Sequence, residues 1–351
     1  MKTRICALLS LLLLGACGGR VPANIGASTQ AVILSPTKNA FYVFDLSTNR
    51  VSYQIKTGMQ PQDLVLGDGG LVFISHAQES SFSVFQRSDP WIWSMVGKVG
   101  TSDQPGRLIY SHPFQELYVA AANAPRLGVY RVSGLRRPVQ QQIIRLDAKL
   151  TKPTALALSA DGSSLYVAGE VLQSLSRANE KLSPDQTLSL PEHAEISDML
   201  LTGSNLLLVD RGNDQILVVD TGSFKQTATI KLGEGLDSPV LPARIALNHA
   251  GTKAYLTGSG ASVVQVIDVK NLKLLETLKL NHSGLRHPAE APLGVAVLGN
   301  DREVYVTAQS GRNLAIIEAS PSLEQSDKIN RTLGTTVHEA LLPPLGAIEI
   351  F

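Results

Sequence analysis

Asp63, Arg107, Asp198 and Arg244 each stand two residues into a short apolar stretch: PQDLVL at Pro61, PGRLIY at Pro105, ISDMLLT at Ile196 and PARIALN at Pro242. Carboxylates and guanidiniums recurring at one such position can do two things. They can satisfy one another where either alone in a dry interior would be costly. Alternatively, an arginine fork can recognise the carboxylate or phosphate of a ligand. A second set, expected to cluster on one face of the fold, comprises His76, His193, His287, Glu290, His338 and Glu339, with Glu192 beside His193. Neutral imidazoles near carboxylates suit a divalent metal or a proton exchanged near neutral pH. Their spacing contains no His-x-His and no His-Glu-x-x-His, and no nucleophile elbow, Walker loop, EF-hand loop or Gly-x-Gly-x-x-Gly unit occurs elsewhere. No catalytic residue is therefore assigned and no cofactor is implied; a metal is left to be decided by whether these side chains converge.

What must position these residues is a repeat. The stretches above are joined by PTALALS at Pro153, PLGVAVLG at Pro292 and the final PLGAIEIF at Pro344, spaced 44, 48, 43, 46, 50 and 52 residues apart. After each of the first six comes a turn, as in SADGSS or NHAGTK, and a second apolar strand: LVFIS, LYVAA, LYVAG, LLLVD, AYLTG, VYVTA. A third alternating strand follows, such as QILVVD or VVQVID, with SLSRAN at Ser174 the poorest example, and a fourth such as QTATIKL closes the unit. Four short strands of period two about every 45 residues predict a propeller blade. Residues 31–56 begin on a second-type strand, AVILS, so the chain opens on a blade without its inner strand and closes on an inner strand without its blade. Pairing the two predicts an all-β, seven-bladed propeller over residues 30–351, closed between its C-terminal strand and its N-terminal strands, with no open inner edge.

The N-terminus reads differently. Lys2 and Arg4 precede an apolar run over residues 5–14 and then Gly15-Ala16-Cys17. The run is too short for a stable membrane-spanning helix and fits the core of a secretory signal. Small residues directly before a cysteine resemble the bacterial lipoprotein processing box, which implies removal of residues 1–16, lipidation of Cys17 and a flexible tether over residues 17–29. Gly18 resembles the outer-membrane sorting preference of some bacteria, so the expected location is the cell envelope, lipid-anchored at the outer membrane. With Cys6 removed and Cys17 occupied, neither of the two cysteines is left for a disulfide, and the fold rests on its core, for which 44% hydrophobic content suffices. Loss of Lys2 and Arg4 takes the formal charge from +1 to −1, which draws no nucleic acid to the molecule as a whole.

LLLVDRGNDQILVVDTGSFKQTATIKLG followed by PARIALNHAGTKAYLTGSG resembles the seven-bladed YVTN-type propeller repeat, with its Tyr-Val-Thr-Asn-like second strand, Val-Ile-Asp third strand and Pro-x-Gly first strand. VYVTAQSGRNLAIIEA is similar, with Ala308 in place of the signature asparagine. The resemblance implies the architecture and leaves activity open, since such propellers include binding proteins, surface-layer proteins and relatives of lactonases and haem carriers. In such a ring Asp63, Arg107, Ala155, Asp198, Arg244, Gly294 and Gly346 are expected near the channel mouth, with Asp63–Arg107 and Asp198–Arg244 as neighbouring-blade pairs. Loops at Leu232, Leu280 and Asn330 are longer than that at Lys56 and are expected to build up one sector of the face, where binding usually lives. The leading expectation is a monomeric, non-enzymatic binding or scaffold module for a protein, peptide or envelope ligand. Its alternative is a metal-assisted hydrolase or lyase, lactonase-like or streptogramin-lyase-like, at the channel mouth. WIW at Trp91 falls between a third and a fourth strand and is expected to pack on its blade rather than to meet a membrane or glycan.

Overall fold

A computed structural model of the chain describes residues 30–89, 92–134, 137–281, 288–311, 314–320, 322–333 and 345–351. Within them, 28 strands form seven four-stranded antiparallel sheets, each a blade. The fold is all-β and the ring is a seven-bladed propeller. The innermost strands, from blade 1 to blade 7, are Ile348–Ile350, Pro61–Gly67, Pro105–Ser111, Ala155–Leu158, Ile196–Thr202, Pro242–Leu247 and Ala289–Val297.

Closure takes the form expected from the two incomplete ends. Ile348–Ile350 pairs antiparallel with Gln30–Ser35, Ile33 opposite Ile348 and Ala31 opposite Ile350. Further bonds run from the Leu34 amide to the Ala347 carbonyl at 3.0 Å and from the Phe351 amide to the Gln30 carbonyl at 3.0 Å.

Alternation along each strand leaves two apolar faces per blade, and each face must be covered by the neighbouring sheet. The buried side chains accordingly divide into seven clusters, each spanning two adjacent blades. Within SLSRAN, Ser174 belongs to a strand, Val171–Ala178, that carries polar groups inward without leaving them bare. The Gln173 side chain accepts from the Asp147 amide at 2.9 Å, and the Ser174 hydroxyl accepts from the Gln186 amide at 3.1 Å.

A hydroxyl in the second strand couples blades to one another. Ser75 Oγ accepts from the Asp63 amide at 3.1 Å and donates to the carbonyl of Gly106 in the next blade at 2.8 Å. Thr257 does the same between the Arg244 amide (3.1 Å) and the Leu293 carbonyl (2.7 Å). Thr307 links the Gly294 amide (2.9 Å) to the Gly346 carbonyl (2.7 Å). The threonine of the second-strand pattern thus satisfies two buried backbone groups that would otherwise each lack a partner. Gly294 is required by the same closeness: a Cβ there would lie 2.7 Å from the Gly346 carbonyl oxygen.

Candidate functional site at the channel mouth

The inner strands do not run in perfect register with their neighbours. A bulge or irregularity falls between Pro61 and Asp63, Pro105 and Leu108, Ile196 and Asp198, Pro242 and Ile245, and Pro292 and Val295. Extra residues at this point re-aim side chains, as bulges do beside binding sites, and the charged residues of four blades occupy them.

The structure brings Asp63, Arg107, Asp198 and Arg244 together as one network across the channel. The shortest contact joins opposite sides of the ring: Arg244 Nη2 to Asp63 Oδ1 at 2.9 Å. Arg107 lies 3.6 Å from Asp63 and 3.8 Å from Asp198, and Arg244 lies 3.9 Å from Asp198. The neighbouring-blade pairs therefore exist as part of a wider square, and its tightest edge is one that neighbour pairing does not predict. Each aspartate also accepts a backbone N–H from the following blade, Leu108 to Asp63 at 3.0 Å and Ile245 to Asp198 at 3.0 Å. Arg107 reaches across to the carbonyls of Thr154 (2.6 Å) and Ser197.

A fifth group, Glu349 of the closing strand, was not among the residues singled out by sequence. The available signal was an acid in an otherwise apolar terminal inner strand. Burial pushes its carboxyl up to about 8, and the charges of Asp63 and Asp198 add to the effect. Burial also pushes Asp198 up to about 6, against the pull of Arg107 and the Ile245 and Met199 amides. At neutral pH Glu349 is then largely protonated.

Because the folded carboxyl of Glu349 titrates above its ordinary 4.5, the folded chain holds a proton that the unfolded chain has released between those values. Stability is fully present below about pH 4.5 and is lost as pH rises through about 8. Glu349→Gln is expected to flatten this decline and to gain about 2–4 kcal/mol above pH 8, since a tenfold change in proton affinity corresponds to about 1.4 kcal/mol. Urea unfolding from pH 5 to 9 measures it, and parallel curves for the two proteins would refute the placement.

Above the network opens a cavity of about 710 Å³. Its wall includes the cations Arg107, Lys152, Arg211 and Arg244 and the anions Glu170 and Glu195. Glu170 is engaged by the Thr151 hydroxyl and the Lys152 amide, and Arg211 by the Leu241 carbonyl and the Ser259 hydroxyl. Arg107 Nη1 is buried and faces Asp63 Oδ1 at 3.6 Å, an ion-pair contact too long for a hydrogen bond. Arg211, Lys152, Thr154 and Ser197 were not identified from sequence; the last two each sit one residue before the recurring channel position.

Among the described residues of the histidine and carboxylate set, His76, His193 and Glu290 are not gathered into one site. His76 ends the strand Leu71–His76 fully buried, with Nε2 2.8 Å from Ser83 Oγ, and burial pushes its imidazole down to about 4. It is a neutral interior residue of blade 2, not a group on the face. His193 is exposed and lies 3.4 Å from Glu192, and Glu290 is exposed in the inner strand of blade 7. His287, His338 and Glu339 lie outside the described residues, as do Cys17, Trp91 and the loop residues 282–287 and 334–344. Among the described residues no three His, Cys, Asp or Glu side chains are placed to hold a metal ion.

The sequence matches no family profile and no curated protein sequence. Solved structures do match. A protein from Lactobacillus plantarum aligns with 14% identity over 92% of this chain and 99% of its own, with a TM-score of 0.76. The periplasmic gluconolactonase of Pseudomonas aeruginosa gives 15% identity, 92% and 98% coverage and a TM-score of 0.73. Virginiamycin B lyase from Staphylococcus aureus gives 13%, 80% and 88%, and 0.62. At such identities the likeness concerns the propeller fold.

Proposed function

We propose that this protein is a YVTN-type, lipid-anchored binding module of the bacterial envelope that takes an anion-bearing small ligand into the channel-mouth cavity. The observation that carries the reading is the gathering of four cations, Arg107, Lys152, Arg211 and Arg244, against two anions, Glu170 and Glu195, in the wall of a cavity of about 710 Å³. A cavity wall with an excess of cationic side chains suits a carboxylate or phosphate, whose oxygens accept charge-assisted hydrogen bonds from guanidinium and ammonium groups. The inner network below forms a fixed floor, so binding there needs no rearrangement of the ring.

The anchor and its location rest on Lys2, Arg4, the apolar residues 5–14 and Gly15-Ala16-Cys17, and on Gly18 for the outer membrane. A protein, peptide or envelope ligand on the expected longer-loop face is the alternative binding reading. Hydrolase or lyase chemistry, which the gluconolactonase and virginiamycin B lyase among the similar structures bring to mind, would act in the same cavity.

The test is equilibrium dialysis of the purified protein against D-gluconate, citrate, glucose 6-phosphate and inorganic phosphate, with hydrolysis of D-glucono-1,5-lactone followed in parallel. Arg211→Ala, which removes a cavity cation outside the inner network, is expected to weaken binding about tenfold or more, the scale of one charge-assisted contact. Retention of none of the four anions would overturn the anion reading. Turnover of the lactone abolished by the same substitution would replace binding with catalysis.

A further inference from the structure

The seven outermost strands begin at one end of the ring, level with the last residue of the third strand: Asp45 opposite Arg50, Asp89 opposite Ile92, Arg131 opposite Val139, Ala178 opposite Lys181, Asp220 opposite Lys225, Asp268 opposite Lys273 and Glu318 opposite Lys328. Four blades place lysine at this first position and blade 1 places arginine. A cation there is a usual guard for an open sheet edge. Blades 2 and 3 depart from the pattern with Ile92, 57% exposed, and Val139, 59% exposed. Met95 and Ile143 are exposed further along the same two strands, at 54% and 43%, Met95 in the groove it shares with Tyr53 of blade 1 and Ile143 in the groove between blades 2 and 3. Five of the seven exposed large hydrophobic residues among those described therefore fall on the outer strands of three consecutive blades. Scattered apolar residues need no explanation, but two neighbouring blades that both lack the cation at the first outer-strand position do.

The chain itself says what lies beside it. Gln30, where the propeller begins, sits at the same end as Asp45 and accepts from Arg87 Nη1 at 3.2 Å. Arg87 is the register partner of Trp93, and both pack on Phe351, Arg87 over its ring at 4.0 Å and Trp93 at 5.7 Å between ring centroids. The tether thus leaves the ring next to Ile92, at the end opposite the cavity mouth. Cys17 precedes Gln30 by 13 residues, and a flexible chain of that length spans about 20 Å on average. A lipid on Cys17 would hold this corner within that distance of a bilayer, where even a weak surface contact becomes favourable.

We propose that the outer rim of blades 2 and 3, centred on Ile92, Met95, Val139 and Ile143, seats on the lipid surface, so that the ring stands with its cavity mouth turned away from the membrane. This rests on the lipidation of Cys17. Isoleucine, methionine and valine enter the acyl boundary while Tyr53 sits at headgroup level, the usual division of roles at such a surface; Trp93 stays packed on Phe41 and Phe351 behind them. The lysines that begin the outer strands of blades 4 to 7 remain on the aqueous side of the same end.

The chain's two tryptophans, Trp91 and Trp93, are both next to Ile92 and provide the readout. The full chain, expressed in bacteria and processed there, is reconstituted into phosphatidylethanolamine and phosphatidylglycerol vesicles with or without dibrominated phosphatidylcholine. Bromolipid is expected to lower tryptophan emission relative to vesicles without it, as for a rim seated at the acyl boundary. Ile92→Lys combined with Val139→Lys, which installs what four other blades carry, should fold, stay on the vesicles through its lipid, and lose the quenching. Chain that floats with vesicles but is not quenched, or a variant quenched like the parent, overturns the proposal. Chain that does not float and shows no acyl mass argues against the lipoprotein reading instead. In that case a maleimide lipid coupled at Cys17 supplies the tether and the quenching comparison still decides. Dimerisation in buffer that the double variant abolishes would assign the rim to self-association and also overturn the proposal.

Discussion

A chain that stops before Leu345 is expected not to form a stable monomeric ring. Residues 345–351 place Leu345 and Ile348 in the cluster shared by blades 7 and 1, and both are almost completely buried. Loss of a buried Leu or Ile side chain costs about 2–5 kcal/mol each. Also removed are the acceptors of the Thr307 hydroxyl and the Leu34 amide and the aromatic contact of Phe351 with Trp93. The sum is comparable with the whole stability of a typical domain, about 5–15 kcal/mol. What remains is Gln30–Ser35 as a bare inner edge, a template for pairing with another chain. Size-exclusion chromatography and circular-dichroism melting should show oligomers or a strongly lowered transition. The synthetic peptide LGAIEIF, added in trans, should restore the monomer. A truncated monomer melting like the parent would mean that the ring does not depend on this closure.

The architecture is legible in the sequence because its signals are local and repeated. The anchor prolines, the Gly, Asp and Asn turns and the period-two strands recur often enough to be counted, and counting exposes the two half-blades that must join. Much of the site is harder to read. Asp63 and Arg244 are 181 residues apart and belong to opposite blades, so their contact follows from the diameter of the ring and the reach of a guanidinium, neither of which a repeat encodes. Glu349 differs from its counterparts in other blades, where the pattern gives no acid to compare. His76 misleads for a related reason. It follows the second strand at the place where Asp210 stands in blade 5, and Asp210 is equally buried, accepting the amides of Glu195, Gly212 and Asn213. The position points into the blade whatever residue fills it, so residue type alone suggests a face and the register denies it. The threonines of the second strand are the converse case: visible as a pattern letter, they acquire a physical reason only when the bulge amide and the next blade's carbonyl are seen on either side of the hydroxyl.

Asp63→Ala is expected to destabilise the protein by about 3–5 kcal/mol, the cost of breaking a buried ion pair from one side. Asp63 is 4% exposed and is the nearest carboxylate of both arginines, at 2.9 Å from Arg244 and 3.6 Å from Arg107. Burial pushes its carboxyl up, opposed by the Arg107 charge and the Leu108 and Leu64 amides, so the anion is held there by its partners at a desolvation cost. Removing it leaves two guanidiniums with only Asp198, at 3.8 and 3.9 Å, to balance them. It also leaves the Leu108 amide without its acceptor. Asp63→Asn keeps the shape and an acceptor oxygen and so isolates the charge; it should fall between the parent and the alanine variant. Combining Asp63→Ala with Arg244→Met should recover part of the loss, because the methionine fills apolar volume where an uncompensated cation stood. Urea unfolding of the parent, Asp63→Ala, Arg244→Met and the double variant closes this cycle, with Asp63→Asn measured beside them. If Asp63→Ala costs no more than a surface substitution, or if Arg244→Met adds to the loss instead of offsetting it, the arginines are not held by Asp63. The square across the channel would then be a coincidence of approach, not a fixed floor for the cavity.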